Sequence, residues 1–449
     1  MNFIPNASMT PAMLMEIGVK TIDDLFQDIP KSVRLKKLNL SQGLSQMETE
    51  RKLRKIASMN KSCCDLLSFL GGGIKPHYRP AVVKAICSRA EFYTAYTPYQ
   101  PEASQGFLQA MFEYQSMIAE FTGMDIANCS LYDGVTALGE AVLMCTRIQR
   151  KHTFLIPQHI AWEKKSVAHN YSKGPGIQIK EIPYETATGK LNIEELKRQI
   201  DDSVAGVYIE NPNFFGIFED QIDTIQQIVH DAGALFVVGI DPLSLGITRP
   251  PGEYQADVVI GEGRALGNPM DYGGSTLGIF ACRKEYLRQT PGRIIGMTTD
   301  RDGKRAFCMA LQTREQHIRR GRATSNICTN EGLCALAATT YLAWNGGRGL
   351  EEVGKANFEK GQQLAQMLTS LDGFDLTFDA VHFNEFVITC PQDPCTINKA
   401  LLAKGIHGGL PLKPWFSELK NELLFGVSEV YTEEGFQRLN AALQEVVHV

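Results

Sequence analysis

The 449-residue sequence predicts an α/β fold whose core is a mostly parallel β-sheet. After residue 128, short apolar runs rich in β-branched residues alternate with helical patterns such as NIEELKRQI and QIDTIQQIVHDAG. Short continuous runs separated by helices are typical of parallel strands buried on both faces of a sheet. The runs are TFLIP (Thr153–Pro157), IQIKEIP (Ile177–Pro183), AGVYIEN (Ala205–Asn211), ALFVVGID (Ala234–Asp241), ADVVIGEG (Ala256–Gly263) and TLGIFACR (Thr276–Arg283). The last run closely follows a Gly-Gly turn, so we expect it to lie antiparallel in the sheet.

Two regions of different character flank this core. The N-terminal region contains short helical segments broken by turns, with Ser8 or Thr10 and then Thr21 as candidate N-caps. Beyond a long helix predicted at about residues 329–342, the chain continues with more helix, short strands and a final helix, a small α+β pattern. We therefore predict an N-terminal helical arm over residues 1–70, a large α/β domain over 71–340 and a small C-terminal α+β domain over 341–449.

Composition excludes several classes of protein. The formal net charge of −5 offers no basic surface for nucleic acid, and no apolar run reaches the length of about 18 residues that a membrane span needs. The N-terminus lacks the basic and apolar regions of a signal peptide. The 11 cysteines are scattered, without the spacing of a zinc site, which is typical of reduced thiols. We expect a cytoplasmic protein with no metal site, no membrane contact and no nucleic-acid partner.

Two neighbouring segments carry the most information about function. The first, EFYTAYTPYQPEASQGFLQAMFEYQ (Glu91–Gln115), places tyrosines between threonines and prolines and then enters an amphipathic helix. The second, ANCSLYDGVTALGEA (Ala127–Ala141), predicts a strand over Cys129–Tyr132, a turn at Asp133-Gly134 and a helix with Thr136 in its first turn. A glycine before a helix start lets backbone N–H groups approach an anion, although such a turn by itself is common.

Taken together, these two segments resemble the P-protein of the glycine cleavage system, a pyridoxal-phosphate glycine decarboxylase. The resemblance covers nearly the whole chain. It extends over IENPNFFGIFED (Ile209–Asp220), the block from Pro251 to Arg283, the block from Pro291 to Asn330 that contains TREQHIRRGRATSNICT, and FGVSEVYTEEGFQRL near the end. One departure is GEGRALGNP, where the family often has Gln-Ser-Leu-Gly, so the resemblance assigns no family-wide role to Arg264.

The resemblance implies the fold-type I architecture of pyridoxal-phosphate enzymes, which is aspartate-aminotransferase-like. In that fold a carboxylate at a strand end pairs with the pyridine nitrogen, and a Gly/Ser/Thr helix start holds the phosphate. Asp241 ends a predicted strand and matches the carboxylate, although an Asp-Pro pair also commonly caps a turn. Asp133, Gly134 and Thr136 match the helix start, and in this chain they are either vestigial or act across a subunit interface.

The Schiff-base lysine of that fold is missing. It is expected just after the run ADVVIGEG, where the sequence has Arg264, Ala265 and Leu266, and no lysine occurs between Lys197 and Lys284. Arginine stays protonated in proteins and cannot form the Schiff base. The sequence therefore predicts no catalytic lysine and no covalently bound cofactor at the usual place in this chain.

The resemblance accounts for the missing lysine, because the P-protein is split in many bacteria and archaea into two homologous subunits. This chain is similar to subunit 1 (alpha), and the lysine and pyridoxal phosphate are expected on subunit 2. Together they would release CO2 from glycine and transfer the aminomethyl group to the lipoyl group of the H-protein, beside the T-protein and L-protein. Alternatives are a non-catalytic scaffold or regulatory subunit with a vestigial pocket, and a stand-alone pyridoxal-phosphate enzyme, against which the missing lysine argues.

Three tyrosines are candidates for a substrate or subunit interface. Tyr93, Tyr96 and Tyr99 recur at every third residue, which fits neither a regular helix nor a strand. They either pack at a subunit seam or, as the resemblance implies best for Tyr96 and Tyr99, lie at the mouth of the partner's active site. In the latter position their hydroxyls would bind the glycine carboxylate or guide the lipoyl arm.

A second candidate interface segment is HIRRGRATSN, which concentrates arginines beside small polar residues. It is either a solvated charged face or a contact with a phosphate or carboxylate across the subunit seam, since arginine forks suit both groups. The candidate interface residues of this segment are Arg319, Arg320, Arg322, Thr324, Ser325 and Asn326. We expect the two histidines His169 and His317 to have structural rather than catalytic roles.

Overall fold

A computed structural model describes residues 6–35 and 37–447, and the chain divides into two units, residues 1–61 and 62–449. The first unit contains helices α1 (Thr10–Ile17) and α2 (Gln46–Ala57). Thr21 forms a capping box with Asp24, as predicted. The expectation of Ser8 or Thr10 as a cap is wrong, because a short 3-10 turn runs directly into α1 and leaves Met9 at the N-cap position. None of the described residues of this unit is buried.

The second unit is built on a seven-stranded sheet in the order β2-β8-β7-β6-β5-β3-β4. All six predicted runs are strands of this sheet, and β8 pairs antiparallel with β7, as predicted. The predicted strand at Cys129–Tyr132 is wrong: the strand lies at β2, and Ser130 follows with φ 103°, which breaks the extended path. The first strands of the unit are β1 (Leu67–Ser68), β2 (Ile126–Ala127), β3 (Thr153–Pro157), β4 (Gln178–Ile182), β5 (Val204–Asn211), β6 (Leu235–Ile240), β7 (Val258–Glu262) and β8 (Gly278–Cys282).

Helices cover both faces of this sheet, which explains the continuous apolar runs. On β3, Phe154 and Ile156 enter one apolar core, whereas Leu155 between them enters the core on the opposite face. A hairpin of β9 (Ile294–Thr299) and β10 (Arg305–Ala310) follows the sheet. The helices are α3 (Ala81–Cys87), α4 (Ala90–Tyr93), α5 (Gln105–Thr122), α6 (Gly134–Gln149), α7 (Trp162–Lys173), α8 (Ile193–Gln199), α9 (Ile222–Asp231) and α10 (Gln316–Arg319).

The C-terminal part combines a long helix with a second, antiparallel sheet. Helix α11 (Gly332–Thr369) is interrupted at Gly346, whose φ of 59° is not helical, so two helical segments meet at a kink a few residues beyond the predicted end at about residue 342. The four-stranded sheet has the order β11-β12-β15-β14, and β1 pairs with β13. The boundaries predicted at residues 70 and 340 both fall inside the second unit. The remaining elements are β11 (Asp375–Leu376), β12 (Glu385–Thr389), α12 (Pro394–Ala403), β13 (Ile406–His407), β14 (Leu410–Pro411), β15 (Glu422–Gly426) and α13 (Glu433–Val447).

Candidate functional site

A cavity of about 620 Å³ lies at the carboxyl ends of the parallel strands. Strand β5 contributes Glu210 to its wall, β6 leads into Asp241, and β7 ends in Glu262. The start of α6 and a loop over residues 72–79 complete much of the lining. Ligand sites of open α/β sheets are found at this edge, because the loops that follow parallel strands meet there.

The first turn of α6 is held by Asp133, one of the predicted residues. The Asp133 carboxylate accepts hydrogen bonds from the backbone N–H of Thr136 at 2.6 Å and from the Thr136 hydroxyl at 2.9 Å. Gly134 brings the helix start against the end of β7: a Cβ at residue 134 would lie 3.0 Å from the backbone nitrogen of Glu262. Asp133, Gly134 and Thr136 are therefore together, but Asp133 and Thr136 are engaged with each other.

Glu262 is the residue of this site that the sequence pattern did not reveal. Its Oε2 accepts from the backbone N–H of Gly134 at 3.1 Å. Its Oε1 accepts from the N–H groups of Arg264 at 3.1 Å and Leu277 at 2.9 Å. Burial raises the pKa of this carboxyl, and the nearby Arg264 charge and the three backbone donors act in the opposite direction. The carboxylate thus lies at the N-terminus of α6, bound by three separate parts of the chain.

Asp241 lies at the cavity wall and also caps a turn, so its role as a cap is confirmed and its role beside a pyridine ring stays a prediction. Its Oδ1 accepts from the backbone N–H of Leu243 at 2.9 Å, which begins the 3-10 helix Pro242–Gly246. The other carboxylate oxygen has no hydrogen bond within the described residues.

The position expected for a lysine holds Arg264 and Ala265, both in the cavity wall. The Arg264 Nε is buried and has no hydrogen-bond partner among the described residues. Two lysines from distant parts of the chain do line the cavity, and each forms an ion pair. Lys75 Nζ lies 2.7 Å from Glu385, and Lys164 contacts Glu210, which also accepts from the Tyr208 hydroxyl at 2.8 Å. Neither lysine is a free amine in this arrangement.

The predicted tyrosines lie outside the lining of this cavity. Tyr93, Tyr96 and Tyr99 are 67%, 86% and 48% exposed, so the first two pack against little of their own chain. The Tyr99 ring lies 5.7 Å from the His317 ring and 5.7 Å from the Arg293 guanidinium carbon. The structure therefore brings the tyrosine segment and the arginine-rich segment together at one surface.

The arginine-rich segment has an exposed side and a buried side. The side chains of Arg319, Arg320 and Arg322 are exposed, and Asn326 accepts from Gln316 at 3.1 Å. The Ser325 hydroxyl is buried and accepts from the backbone N–H of Ile327 at 2.9 Å, and Thr324 offers its carbonyl to Arg147 at 3.2 Å. His317 pairs with Glu315 and His169 is exposed.

Three buried or partly buried charged side chains that sequence patterns did not indicate lie next to this segment. Arg293 donates to the Cys328 carbonyl at 2.8 Å, and Arg314 donates to the Gly292 carbonyl at 2.8 Å. Burial raises the pKa of the Glu140 carboxyl on α6 to about 7, and the neighbouring Ser325 and Arg147 oppose that increase. These contacts connect the interior to a segment whose arginine side chains are exposed, with the Nε of Arg319 donating to the Thr313 carbonyl at 3.1 Å.

Within residues 6–35 and 37–447, no group of three or more His, Cys, Asp or Glu side chains is arranged to hold a metal ion. No helix in the described part of the chain has the length and apolar character to cross a membrane.

The parallel sheet, its strand-end cavity and the appended antiparallel module define the class as a fold-type I pyridoxal-phosphate enzyme fold. A sphingosine-1-phosphate lyase of Burkholderia pseudomallei shares this fold with a TM-score of 0.68 at 14% identity, covering 92% of this chain and 93% of that one. The model of the family described as glycine cleavage system P-protein matches residues 2–443, and the chain belongs to that family.

Individual relatives match along the full chain. A Thermococcus onnurineus protein named probable glycine dehydrogenase (decarboxylating) subunit 1 is 49% identical over 447 residues, 99% of each chain. A protein of the same name from Desulfitobacterium hafniense is 45% identical over 99% of this chain and 100% of its own. A crystal structure of a glycine decarboxylase (P-protein) of the glycine cleavage system, in inhibitor-bound form, has a TM-score of 0.91 at 40% identity, covering 99% of this chain and 100% of that one.

The residues at the cavity do not fit a covalently held pyridoxal phosphate. The lysine position carries Arg264, and the lysines that line the cavity are ion-paired. The helix start that would receive a phosphate already binds the Glu262 carboxylate. This chain therefore has the fold of a pyridoxal-phosphate enzyme, and both lysines that line its cavity are engaged in ion pairs.

Proposed function

We propose that this chain is subunit 1 of a two-subunit glycine dehydrogenase (decarboxylating), the P-protein of a glycine cleavage system. The observation that carries the proposal is full-length similarity to proteins of that name together with arginine at the lysine position. The assembled enzyme releases CO2 from glycine and passes the aminomethyl group to the lipoyl group of the H-protein. The T-protein and L-protein act in the same system, in the cytoplasm.

The cofactor belongs to the second subunit in this proposal. A homologous, lysine-bearing subunit 2 holds pyridoxal phosphate, and subunit 1 completes the active site at the interface. The ion-paired Lys75 and Lys164 support this division, because an ammonium held against a carboxylate is a poor nucleophile. The P-protein fold retained over the full chain also favours a working subunit over a scaffold with a vestigial pocket.

The surface that we assign to subunit 2 combines the tyrosine segment with the arginine-rich segment. Tyr96 is 86% exposed, beside a region that carries the exposed Arg319 and Arg320. Aromatic residues and arginine are enriched in protein interfaces, and arginine can bind a carboxylate with two hydrogen bonds. In the assembly these side chains would exclude water from the partner's site and orient the glycine carboxylate, and a less polar environment favours the loss of that carboxylate as CO2.

The proposal is tested by the exchange of the glycine carboxyl group with labelled bicarbonate. The full-length chain, subunit 2 and an equimolar mixture are assayed with lipoylated H-protein. We expect exchange only in the mixture. Full exchange by this chain alone, or by subunit 2 alone at the rate of the mixture, would contradict the division of labour.

A further inference from the structure

Two backbone donors in the N-terminal turn of α6 are occupied by carboxylates of the chain itself. The N–H of Gly134 donates to Glu262 at 3.1 Å, and that of Thr136 donates to Asp133 at 2.6 Å. In a helix these first N–H groups have no partner within the helix and attract anions. Here the carboxylates of Asp133, beside the helix, and of Glu262, at the end of β7, take the place of such an anion.

We infer that Glu262 is an internal anion that occupies the phosphate position of this fold and closes the chain's own cofactor pocket. The inference deepens the proposed placement of the cofactor on subunit 2 and rests on it. It concerns a specific residue: the missing lysine removes only the covalent anchor, whereas Glu262 removes the non-covalent binding site for a phosphate.

Three hydrogen bonds hold the Glu262 carboxylate in its place. Glu262 is bound by donors from the start of α6, from its own turn at Arg264 and from Leu277, which precedes β8. A phosphate entering the pocket would have to break these hydrogen bonds and approach the negative charges of Glu262 and Asp133. Charge-assisted hydrogen bonds are among the strong ones in proteins, and like charges at short range oppose binding.

Arg264 and Glu262 also place one positive and one negative group where a lysine and a phosphate would lie in this fold. In a fold-type I site the lysine is cationic when free, and here the Arg264 guanidinium stands near that position while Glu262 stands in for the phosphate. No side-chain hydrogen bond joins Arg264 to Glu262 among the described residues, so their interaction is one of charge through space. The two residues are separated by one glycine, so a single turn after β7 carries both substitutions.

The test measures the binding of inorganic phosphate by calorimetry at constant ionic strength, set with chloride. It uses the full-length chain alone, since the pocket lies within one chain, and it needs no glycine and no turnover. The variant is Glu262→Ser, whose hydroxyl can still cap the turn at the N–H of Arg264 while leaving Gly134 free. The control is Glu163→Ala, which removes an exposed carboxylate from the same cavity but not from the helix start.

We expect Glu262→Ser to bind phosphate saturably and at least about tenfold more tightly than the wild-type chain, and Glu163→Ala to match the wild type. Saturable phosphate binding by the wild type at the affinity of the variant would overturn the inference, as would an equal gain in Glu163→Ala or a folded Glu262→Ser that binds nothing.

A second measurement applies if Glu262→Ser does not fold. The assembled wild-type enzyme is loaded with excess pyridoxal phosphate and desalted, and its phosphorus content is measured. One phosphate per pair of subunits is expected, and two would overturn the inference. Because both readouts are binding measurements, the two failures are distinguishable: a failed exchange assay contradicts the proposed function, and a failed binding measurement contradicts this inference.

Discussion

Arg264 stands at the position where a Schiff-base lysine is expected in this fold. A guanidinium keeps its proton and cannot condense with an aldehyde, and the two lysines near it are held by Glu385 and Glu210. We expect borohydride reduction of the chain after incubation with pyridoxal phosphate to leave no stoichiometric pyridoxyl-lysine, as judged by peptide mass spectrometry. Subunit 2 treated in parallel is the positive control, and a full adduct on Lys75, Lys164 or Lys284 would contradict the assignment.

Tyr96 and Tyr99 offer a test of whether the exposed segment reaches the partner's active site. Tyr→Phe at both positions removes two hydroxyl groups with almost no change in volume. A hydrogen bond to a charged group contributes about 1.5–3 kcal/mol, so its loss in the transition state should lower kcat/KM by about ten- to a hundredfold. The measurement is carbon exchange by the variant reconstituted with wild-type subunit 2 and H-protein.

The control for this experiment is the thermal stability and assembly of the same double variant, which should stay unchanged because both rings remain. Normal turnover with weakened association would instead indicate that the tyrosines only pack at the subunit seam. Unchanged activity and unchanged association would remove both residues from the interface.

We expect Glu140 to make the free energy of unfolding depend on pH. Burial raises its pKa to about 7 in the folded chain, above the ordinary value of 4.5. The neutral form therefore favours the folded state: its stabilising contribution is complete below about pH 4 and is lost as the pH rises towards 7. Replacing Glu140 with Gln should raise the free energy of unfolding at about pH 8, by up to about 3 kcal/mol, and flatten its dependence between about pH 5 and 7.

Urea unfolding at several pH values measures this effect. The control Glu120→Gln changes an exposed carboxylate on α5 and should leave the pH dependence as it is. A Glu140→Gln variant that is less stable than the wild type at pH 8 would show that the ionised carboxylate is needed by the fold.

At the scale of the elements, one buried ion pair joins the loop after β1 to the first residue of β12. Glu385 accepts from the backbone N–H groups of Gly72 at 3.0 Å and Gly73 at 2.8 Å and from Lys75 Nζ at 2.7 Å. Lys75→Met leaves this buried carboxylate without its cation, which should lower the free energy of unfolding by about 3 kcal/mol or more.

The matched control is Lys197→Met, which breaks the exposed pair with Glu194 on α8. An exposed pair of this spacing contributes little, so the change should stay within about 0.5 kcal/mol. Both variants are compared by urea unfolding, and equal effects would show that burial of the Lys75–Glu385 pair has no special weight.

The ends of the helices show which local sequence patterns were sufficient to predict the structure. Thr21 was identified as a cap because capping depends on residues within one turn. The break in the long helix was also predicted close to its place, since Gly346 adopts a non-helical φ of 59° and helix resumes beyond it, where Leu350 and Leu364 pack into apolar cores. Glycine adopts a positive φ at little cost, so a pair of glycines marks such a break in the sequence.

At the scale of the whole molecule, many large apolar side chains are exposed, and we expect a partner to cover part of this surface. Large apolar side chains exposed in the second unit include Tyr96, Met297 and Ile318, and the described part of the first unit has no buried residue. A partner that binds only the folded chain stabilises it by mass action, by about 2.7 kcal/mol at a concentration of one hundred times Kd. We expect the melting temperature to rise with added subunit 2, and to be unchanged by an unrelated protein at equal concentration.

A monodisperse chain whose melting temperature is insensitive to subunit 2 up to several equivalents would show that the exposed surface is not an obligate interface. Self-association of the isolated chain that disappears when subunit 2 is added would support an interface between the exposed surface and subunit 2.

The sequence by itself determined six of the seven strands of the main sheet, the family, and the arginine at the position where a Schiff-base lysine is expected. These features are local: a β-branched run such as Val258–Glu262 is recognised from its own residues, and an arginine at position 264 is visible without a structure. Only the tertiary structure decided that Glu262 reaches Gly134 and that Lys75 reaches Glu385, pairs separated by 128 and 310 residues. Such contacts depend on how helices dock and strands register across the whole sheet, and no local pattern specifies that geometry.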